Sequence, residues 1–263
     1  MRLRGRKGIL ESIESQPELV VLDGTAYKGR WNEFFGNDNP IYVELGMGKG
    51  QFISTQSFRN PDINYIGVDM YDELVRRASE KARRIWAERD VDSPPNLALL
   101  RANIEFIEDI FEKDELERIY LNFSDPWPKA KHARRRLTHP RFIAKYINAL
   151  NSRGEIHFKT DSVSLFEYSL NSFADMELLT RNIALELHKD GLRDDLVPTE
   201  YEMKFFNRGQ NIHRIEVLIG DEAIAAHRNA KREAAAAEAV KAAEAEKAAE
   251  AKKQGSEQES AEE

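Results

Sequence analysis

The residues best equipped for chemistry lie between Asn122 and Thr138, where the chain reads Asn-Phe-Ser-Asp-Pro-Trp-Pro-Lys-Ala-Lys-His-Ala-Arg-Arg-Arg-Leu-Thr. A carboxylate, Asp125, is followed by Pro126, Trp127 and Pro128, then by Lys129, Lys131, Arg134, Arg135 and Arg136. Proline fixes φ and removes a backbone donor, so two prolines around an indole leave the loop few conformations and suit it to a flat ligand. The five cations suit a polyphosphate backbone. Trp127 either stacks on a base or props the loop, and burial as the commoner fate of tryptophan favours the prop. Taken alone, the segment also fits a solvated basic loop around a structural tryptophan.

A second motif is Ile41-Tyr-Val-Glu44-Leu-Gly46-Met-Gly48-Lys-Gly50, an apolar strand running into a glycine turn and then a helical pattern from Gln51 to Phe58. A dinucleotide fingerprint puts its third glycine where Gln51 stands, so the Gly-x-Gly-x-Gly spacing argues against a pyrophosphate on the helix N-terminus. It allows close backbone approach to a ligand that needs no anion site, as S-adenosylmethionine does, and Glu44 can face that ligand's amino group. A structural tight turn is the plainer alternative. The next strand pattern, Asn64 to Asp69, ends in an acid suited to ribose hydroxyls. After Leu97 to Leu100 comes Asn103, whose amide can both donate to and accept from an adenine edge. Each of these could also be an ordinary strand-end cap.

The elements that must position these residues alternate as βα units. Helical patterns at Asp72 to Glu88, Thr138 to Leu150 and Ser162 to Phe173 separate strand patterns at 41–45, 64–69, 97–100, 118–122 and 154–159. Two further apolar runs, Asn182 to Leu187 and Ile212 to Ile219, lack a full helix between them. The expected fold is α/β: a seven-stranded, mostly parallel sheet with helices on both faces, closing on an antiparallel pair. Ligands of such sheets sit at the carboxyl ends of the strands, where Glu44, Asp69, Asn103, Asp125 and Asp161 fall.

Composition agrees with one sizeable domain. The 263 residues are 41% hydrophobic, enough for a real core. No run approaches a membrane span and the N-terminus lacks the apolar stretch of a signal peptide, so a cytoplasmic protein is expected. Without cysteine there is no disulfide or thiolate nucleophile, and the six histidines show no metal-ligand spacing, so no metal is expected. His132, His139 and His157 read as hydrogen-bonded or RNA-facing rather than as bases.

The net charge of −7 is uneven. Eleven acids and seven bases lie from Asp221 onward, leaving 35 acids and 32 bases before it, with positive charge concentrated at Arg2, Arg4, Arg6, Lys7 and from Lys129 to Lys145. Local potential outweighs the sum, because exposed charges beyond about 8 to 10 Å are screened. Two parts follow: a catalytic body over 1–220 and an Ala/Glu/Lys-rich tail over 221–263. Strong helix formers without an apolar stripe give a frayed helix followed by disorder.

The Asn122 to Thr138 segment, with Phe158-Lys-Thr-Asp161 and Thr199-Glu-Tyr-Glu202, resembles the bacterial tRNA (guanine-N7)-methyltransferase family over roughly Met1 to Ile219. The resemblance implies a Rossmann-like, class I S-adenosylmethionine-dependent methyltransferase acting on guanine 46 of the tRNA variable loop; the residues themselves leave monomer and homodimer both open. It implies that Glu44, Gly46, Gly48, Gly50, Asp69, Asn103 and Asp125 line the cofactor pocket, with Asp125 also at the chemical centre. Lys129, Asp161, Thr199, Glu200, Tyr201 and Glu202 would meet the substrate. Lys131, His132, Ala133, Arg134, Arg135 and Arg136 would touch the RNA. Two positions depart from the commonest pattern: glutamate is usual where Asp69 stands, and aspartate where Asn103 stands. A methyltransferase for another base or a small molecule, a nicotinamide dehydrogenase and a non-catalytic RNA-binding module are the alternatives. The glycine spacing disfavours the dehydrogenase, and the basic tract beside an acid disfavours a small-molecule substrate.

Overall fold

The computed structural model of the chain describes residues 8–259, so the Arg2, Arg4, Arg6 and Lys7 cations lie outside the described residues. Contacts divide the chain into two units, Met1–Gly220 and Asp221–Glu263. The first runs α1 (Ile9–Glu14), β1 (Val20–Val21), α2 (Trp31–Phe35), β2 (Ile41–Leu45), α3 (Gln51–Arg59), β3 (Asn64–Asp69), α4 (Asp72–Trp86) and β4 (Leu97–Arg101). It continues with β5 (Leu116–Asn122), α5 (Pro140–Ala149), β6 (Leu150–Thr160), α6 (Val163–Asp175), β7 (Leu179–Ala184), α7 (Glu200–Phe206) and β8 (His213–Leu218). The second unit is α8 (Asp221–Glu259).

The strands form one sheet in the order β1-β4-β3-β2-β5-β6-β8-β7. From β1 to β6 every pairing is parallel, and β8 runs antiparallel between β6 and β7. Parallel strands covered on both sides need apolar residues at nearly every position, and every residue of β2 and β3 is buried. One core layer packs Trp31, Phe142, Tyr146 and Phe166 against the face that carries α2, α5 and α6. The other packs Ile13, Phe52, Ile53, Val75 and Ala78 from α1, α3 and α4. Helices therefore cover both faces, as expected.

The sheet has eight strands rather than seven. The extra one, β1, has only Val20 and Val21, paired with Leu99 and Leu100; two residues are too few to show a period. The strand expected over 182–187 lies at Leu179–Ala184, where a register shift between Arg181 and Ala184 and a left-handed Asn182 (φ 52°) interrupt the alternation. A seven-residue helix, α7, does sit between the last two strands. The tail is helical through Glu259, past the Gln-Gly-Ser-Glu run expected to be disordered, with strong helix propensity along most of its length.

β2 is the switch point of the sheet: it pairs with β3 on one side and with β5 on the other. The crevice beyond its carboxyl end is where such sheets hold ligands. The glycine turn after β2, Asp69 at the end of β3 and the Asp125 loop after β5 all open onto it.

Candidate active site

Gly46, Gly48 and Gly50 all adopt left-handed φ (86°, 58° and 73°), which L side chains rarely take. A Cβ on Gly50 would stand 2.6 Å from that of Ala78, so this glycine lets α3 pack on α4. Gly46 and Gly48 have nothing within 4 Å of their missing Cβ: their turn faces open space. The amides of Gly46 and Met47 donate to the Val68 carbonyl (2.9 and 3.0 Å), and that of Gly48 to Asp69 Oδ2 (3.1 Å). Asp69 Oδ1 accepts from Tyr71 N (3.1 Å), so this carboxylate joins the glycine turn to the start of α4. Burial pushes the Asp69 carboxyl above its ordinary pKa, against those backbone hydrogen bonds.

Glu44 is only 2% exposed. Asn122 Nδ2 donates to its Oε1 (2.8 Å), while Oε2 makes no hydrogen bond of normal geometry. Burial pushes its pKa to about 8 despite the Asn122 hydrogen bond and the nearby Lys159 cation. A buried carboxylate with an unmet oxygen is costly, and a cationic ligand group would relieve it.

Asn103 is exposed and caps the 3-10 turn Ile104–Asp109 by accepting from Glu105 N (3.0 Å). Its amide nitrogen remains free, so the donating half of the expected adenine contact is available, whereas the carbonyl already serves the cap. Sequence reasoning missed two apolar side chains here: Met70, after Asp69, and Phe106, three residues past Asn103, are 54% and 58% exposed. They offer exposed apolar surface next in sequence to the residues expected to hold a nucleoside.

The Asp125 loop is strained on both sides of the acid. Phe123 and Trp127 have φ of 51° and 41°, conformations uncommon for bulky residues and typical of functional turns. Asp125 is exposed, and its carboxylate has no partner among the described residues. Arg136 holds the loop: its Nε donates to the Pro126 carbonyl (3.1 Å), its Nη2 to that of Trp127 (3.0 Å), and its guanidinium lies 4.2 Å from the centre of the Tyr168 ring. Expected to touch RNA, Arg136 is instead buried and committed to the loop's backbone. Arg134, Arg135, Lys129 and Lys131 are exposed without carboxylate partners, on or beside the 3-10 turn Ala130–Arg135 that also carries Ala133. Trp127 is half-buried, with His132 against its edge (5.9 Å) and Arg135 over its face (4.8 Å).

The third motif, Thr199 to Glu202, opens α7 with a capping box: Thr199 Oγ1 accepts from Glu202 N (2.9 Å) and Glu202 Oε2 from Thr199 N (3.1 Å). Glu202 is fully buried, bonded to Lys159 Nζ (2.6 Å) and His188 Nε2 (2.8 Å). Thr199 and Glu202 thus serve the fold of α7, not an open substrate surface. Glu200 pairs with Lys49 of the glycine turn (3.2 Å) and with Lys81 (2.5 Å), and Phe205 packs on Phe123 (5.8 Å). Only Tyr201, 56% exposed, points freely outward. Asp161, just past β6, is half-buried and unpaired among the described residues. Lys159 and His188 were not anticipated as partners of Glu202: Ile156 to Thr160 alternates apolar and polar residues, and nothing in that pattern marks Lys159 as buried.

Of the three noted histidines, His132 packs on Trp127 in the Asp125 loop, and the other two are committed to the fold. His139 Nδ1 accepts from Arg141 N as the cap of α5, and burial lowers its pKa. Burial also pushes His157 down to about 4. His157 forms a group with Glu155 and Glu216 close enough for a metal. Its carboxylates are already engaged: Arg181 binds both at 2.7 Å, Arg118 binds Glu155 at 3.1 Å and Arg214 pairs with Glu216. Three guanidiniums around two carboxylates disfavour a divalent cation.

Residues 38–215 match a family model described as "Putative methyltransferase". The chain is 47% identical to the tRNA (guanine-N(7)-)-methyltransferase of Streptococcus sanguinis, over 82% of this chain and 98% of that protein. It is 46% identical to the protein of that name from Lysinibacillus sphaericus, over 82% and 97%. Among solved structures, the 16S rRNA methyltransferase KamB superposes with a TM-score of 0.53 at 13% identity, over 73% of this chain and 93% of that one. An antibiotic-related methyltransferase gives 0.52 at 15%, over 76% and 96%. These two likenesses concern the fold, that of class I methyltransferases.

Proposed function

We propose, for a chain that belongs to the tRNA (guanine-N7)-methyltransferase family, that the crevice at the end of β2 holds S-adenosylmethionine and that Asp125 receives guanine 46 of the tRNA variable loop. The protein is an S-adenosylmethionine-dependent tRNA (guanine-N7)-methyltransferase. The observation that carries the reading of the site is the convergence at one switch point of an open glycine turn, a buried carboxylate with an unmet oxygen and an unpaired acid beside exposed cations. A tRNA substrate fits a cytoplasmic enzyme; no described helix is long and apolar enough to cross a membrane.

S-adenosylmethionine supplies an electrophilic methyl group on a sulfonium. The residues fit it: Gly46 and Gly48 leave room for close approach, Glu44 would take the ammonium, Asp69 the ribose and the Asn103 amide a ring nitrogen. Guanine N7 carries a lone pair and no proton. A bound S-adenosylmethionine would supply its methyl group to that lone pair, the carbon–sulfur electrons staying on sulfur, and no proton would need to move. Alignment and electrostatics then supply the catalysis. Asp125 would accept hydrogen bonds from the guanine edge and balance the charge developing on the purine. Lys129, Asp161 and Tyr201 would meet the substrate, and Arg134 and Arg135 would take phosphates. A tRNA with adenine in place of guanine 46 tests the target: methyl acceptance should vanish, and retained acceptance would move the target elsewhere.

Two further outcomes separate the roles. With Glu44 at about pKa 8 before ligand arrives, binding the ammonium must expel its proton at neutral pH. Cofactor affinity should therefore rise with pH up to about 8 and then level, and Glu44→Gln should remove that dependence while weakening binding; superposable titration profiles would refute it. The saturated single-turnover rate should stay flat from about pH 6 to 9 and change little when His132 or His139 is replaced, because no base is needed.

Arg134→Gln with Arg135→Gln should reduce the slope of log K for tRNA against log salt by roughly one per lost contact. Arg136→Ala should barely change the slope but slow methylation, roughly ten- to a hundredfold, by loosening the Asp125 loop. Equal effects on the slope would mean that Arg136 leaves its carbonyls to meet RNA.

A further inference from the structure

α7 and the turn that follows it carry a second set of cations at the rim of the crevice. Within residues 8–220 most Lys and Arg side chains have a carboxylate partner. Those without one among the described residues fall mainly in two runs, Lys129 to Arg136 and Lys204 to Arg208. Elsewhere Arg59 reaches the Asp194 carbonyl, Arg89 lies over the Phe58 ring, and Arg84 is without a carboxylate. A chain with more acids than bases has left its cations unneutralised chiefly beside Asp125 and at the end of α7.

The fold brings the two runs to one place. Phe205 packs on Phe123, at the entry to the Asp125 loop, and Glu200 ties the start of α7 to Lys49 of the glycine turn. Glu202, Met203 and Phe206 face inward to differing depths, while Tyr201, Lys204 and Arg208 are exposed. Tyr201 and Lys204, three residues apart, share one side of α7, and Arg208 stands in the turn just after its end. The buried bonds from Glu202 to Lys159 and His188 fix which side that is.

We infer that Lys204 and Arg208 form a second tRNA phosphate-contact patch, across the Asp125 loop from Arg134 and Arg135. This rests on the tRNA reading above. Two contact sets flanking the acid would hold the RNA on both sides of the target base, which helps to offset the cost of unstacking it.

The test is equilibrium binding of full-length Lys204→Gln/Arg208→Gln to tRNA between about 50 and 200 mM salt, beside wild type and the charge-keeping Lys204→Arg/Arg208→Lys pair. The slope of log K against log salt should fall by about one to two in the neutralised pair, with affinity at low salt down roughly tenfold, and stay at the wild-type value in the charge-keeping pair. S-adenosylmethionine affinity should not move. A wild-type slope in the neutralised pair, or equal loss in both pairs, would overturn the patch while leaving the tRNA reading in place. A wild-type protein without salt-dependent tRNA binding would overturn both.

Discussion

Replacing Asp125 with alanine should lower the single-turnover rate of methyl transfer by about two to three orders of magnitude, the usual loss when a preorganised electrostatic contact to a developing charge is removed. tRNA affinity should stay within a few-fold of wild type, because Arg134, Arg135 and their neighbours are untouched. The expectation rests on an acid that is exposed, unpaired and held between two strained residues, Phe123 and Trp127. A structural carboxylate would have a partner in the fold; this one has none among the described residues. Asp125→Asn, which keeps an acceptor but loses the charge, should fall between the two. Near wild-type turnover in the alanine variant would remove Asp125 from the reaction.

The second large effect is on stability. Glu202→Ala should cost about 3 to 5 kcal/mol, the range seen when one partner of a buried ion pair is deleted. It leaves Lys159 buried without its carboxylate, frees His188 and opens the capping box of α7. Thr199→Ala, which removes only the cap, should cost about 1 kcal/mol. Denaturant unfolding measures both. If Glu202 instead met substrate directly, Glu202→Gln would raise KM without shifting the unfolding midpoint, and that pattern would restore the role expected from the motif alone.

These two residues mark what the sequence could and could not disclose. The βα alternation was legible because strands buried on both faces must be largely apolar, as Ile41–Leu45 and Asn64–Asp69 are apart from Glu44 and the two end residues of β3. The turn after β2 was legible because three glycines at that spacing have few other uses. Thr199-x-x-Glu202 was visible both as a substrate motif and as a capping box, and only the burial of Glu202 separates the two. Arg134 and Arg136 look alike in a run of three arginines. One is exposed and the other turns inward because the Pro126 and Trp127 carbonyls and the Tyr168 ring lie on its side. The hub of Lys159, His188 and Glu202 comes from three separate segments, and no local pattern pairs them. The two-residue strand β1 is below the length at which any period exists.

The central claim is that a methyl group from S-adenosylmethionine is placed on N7 of a tRNA guanine. Its most direct measurement is nucleoside and fragment mass spectrometry of unmodified tRNA incubated with the purified protein and isotopically labelled S-adenosylmethionine. The predicted result is labelled 7-methylguanosine in the variable-loop fragment and nowhere else, abolished by Asp125→Ala. A label on another base or another atom of guanine, or unlabelled tRNA despite bound cofactor, would contradict it.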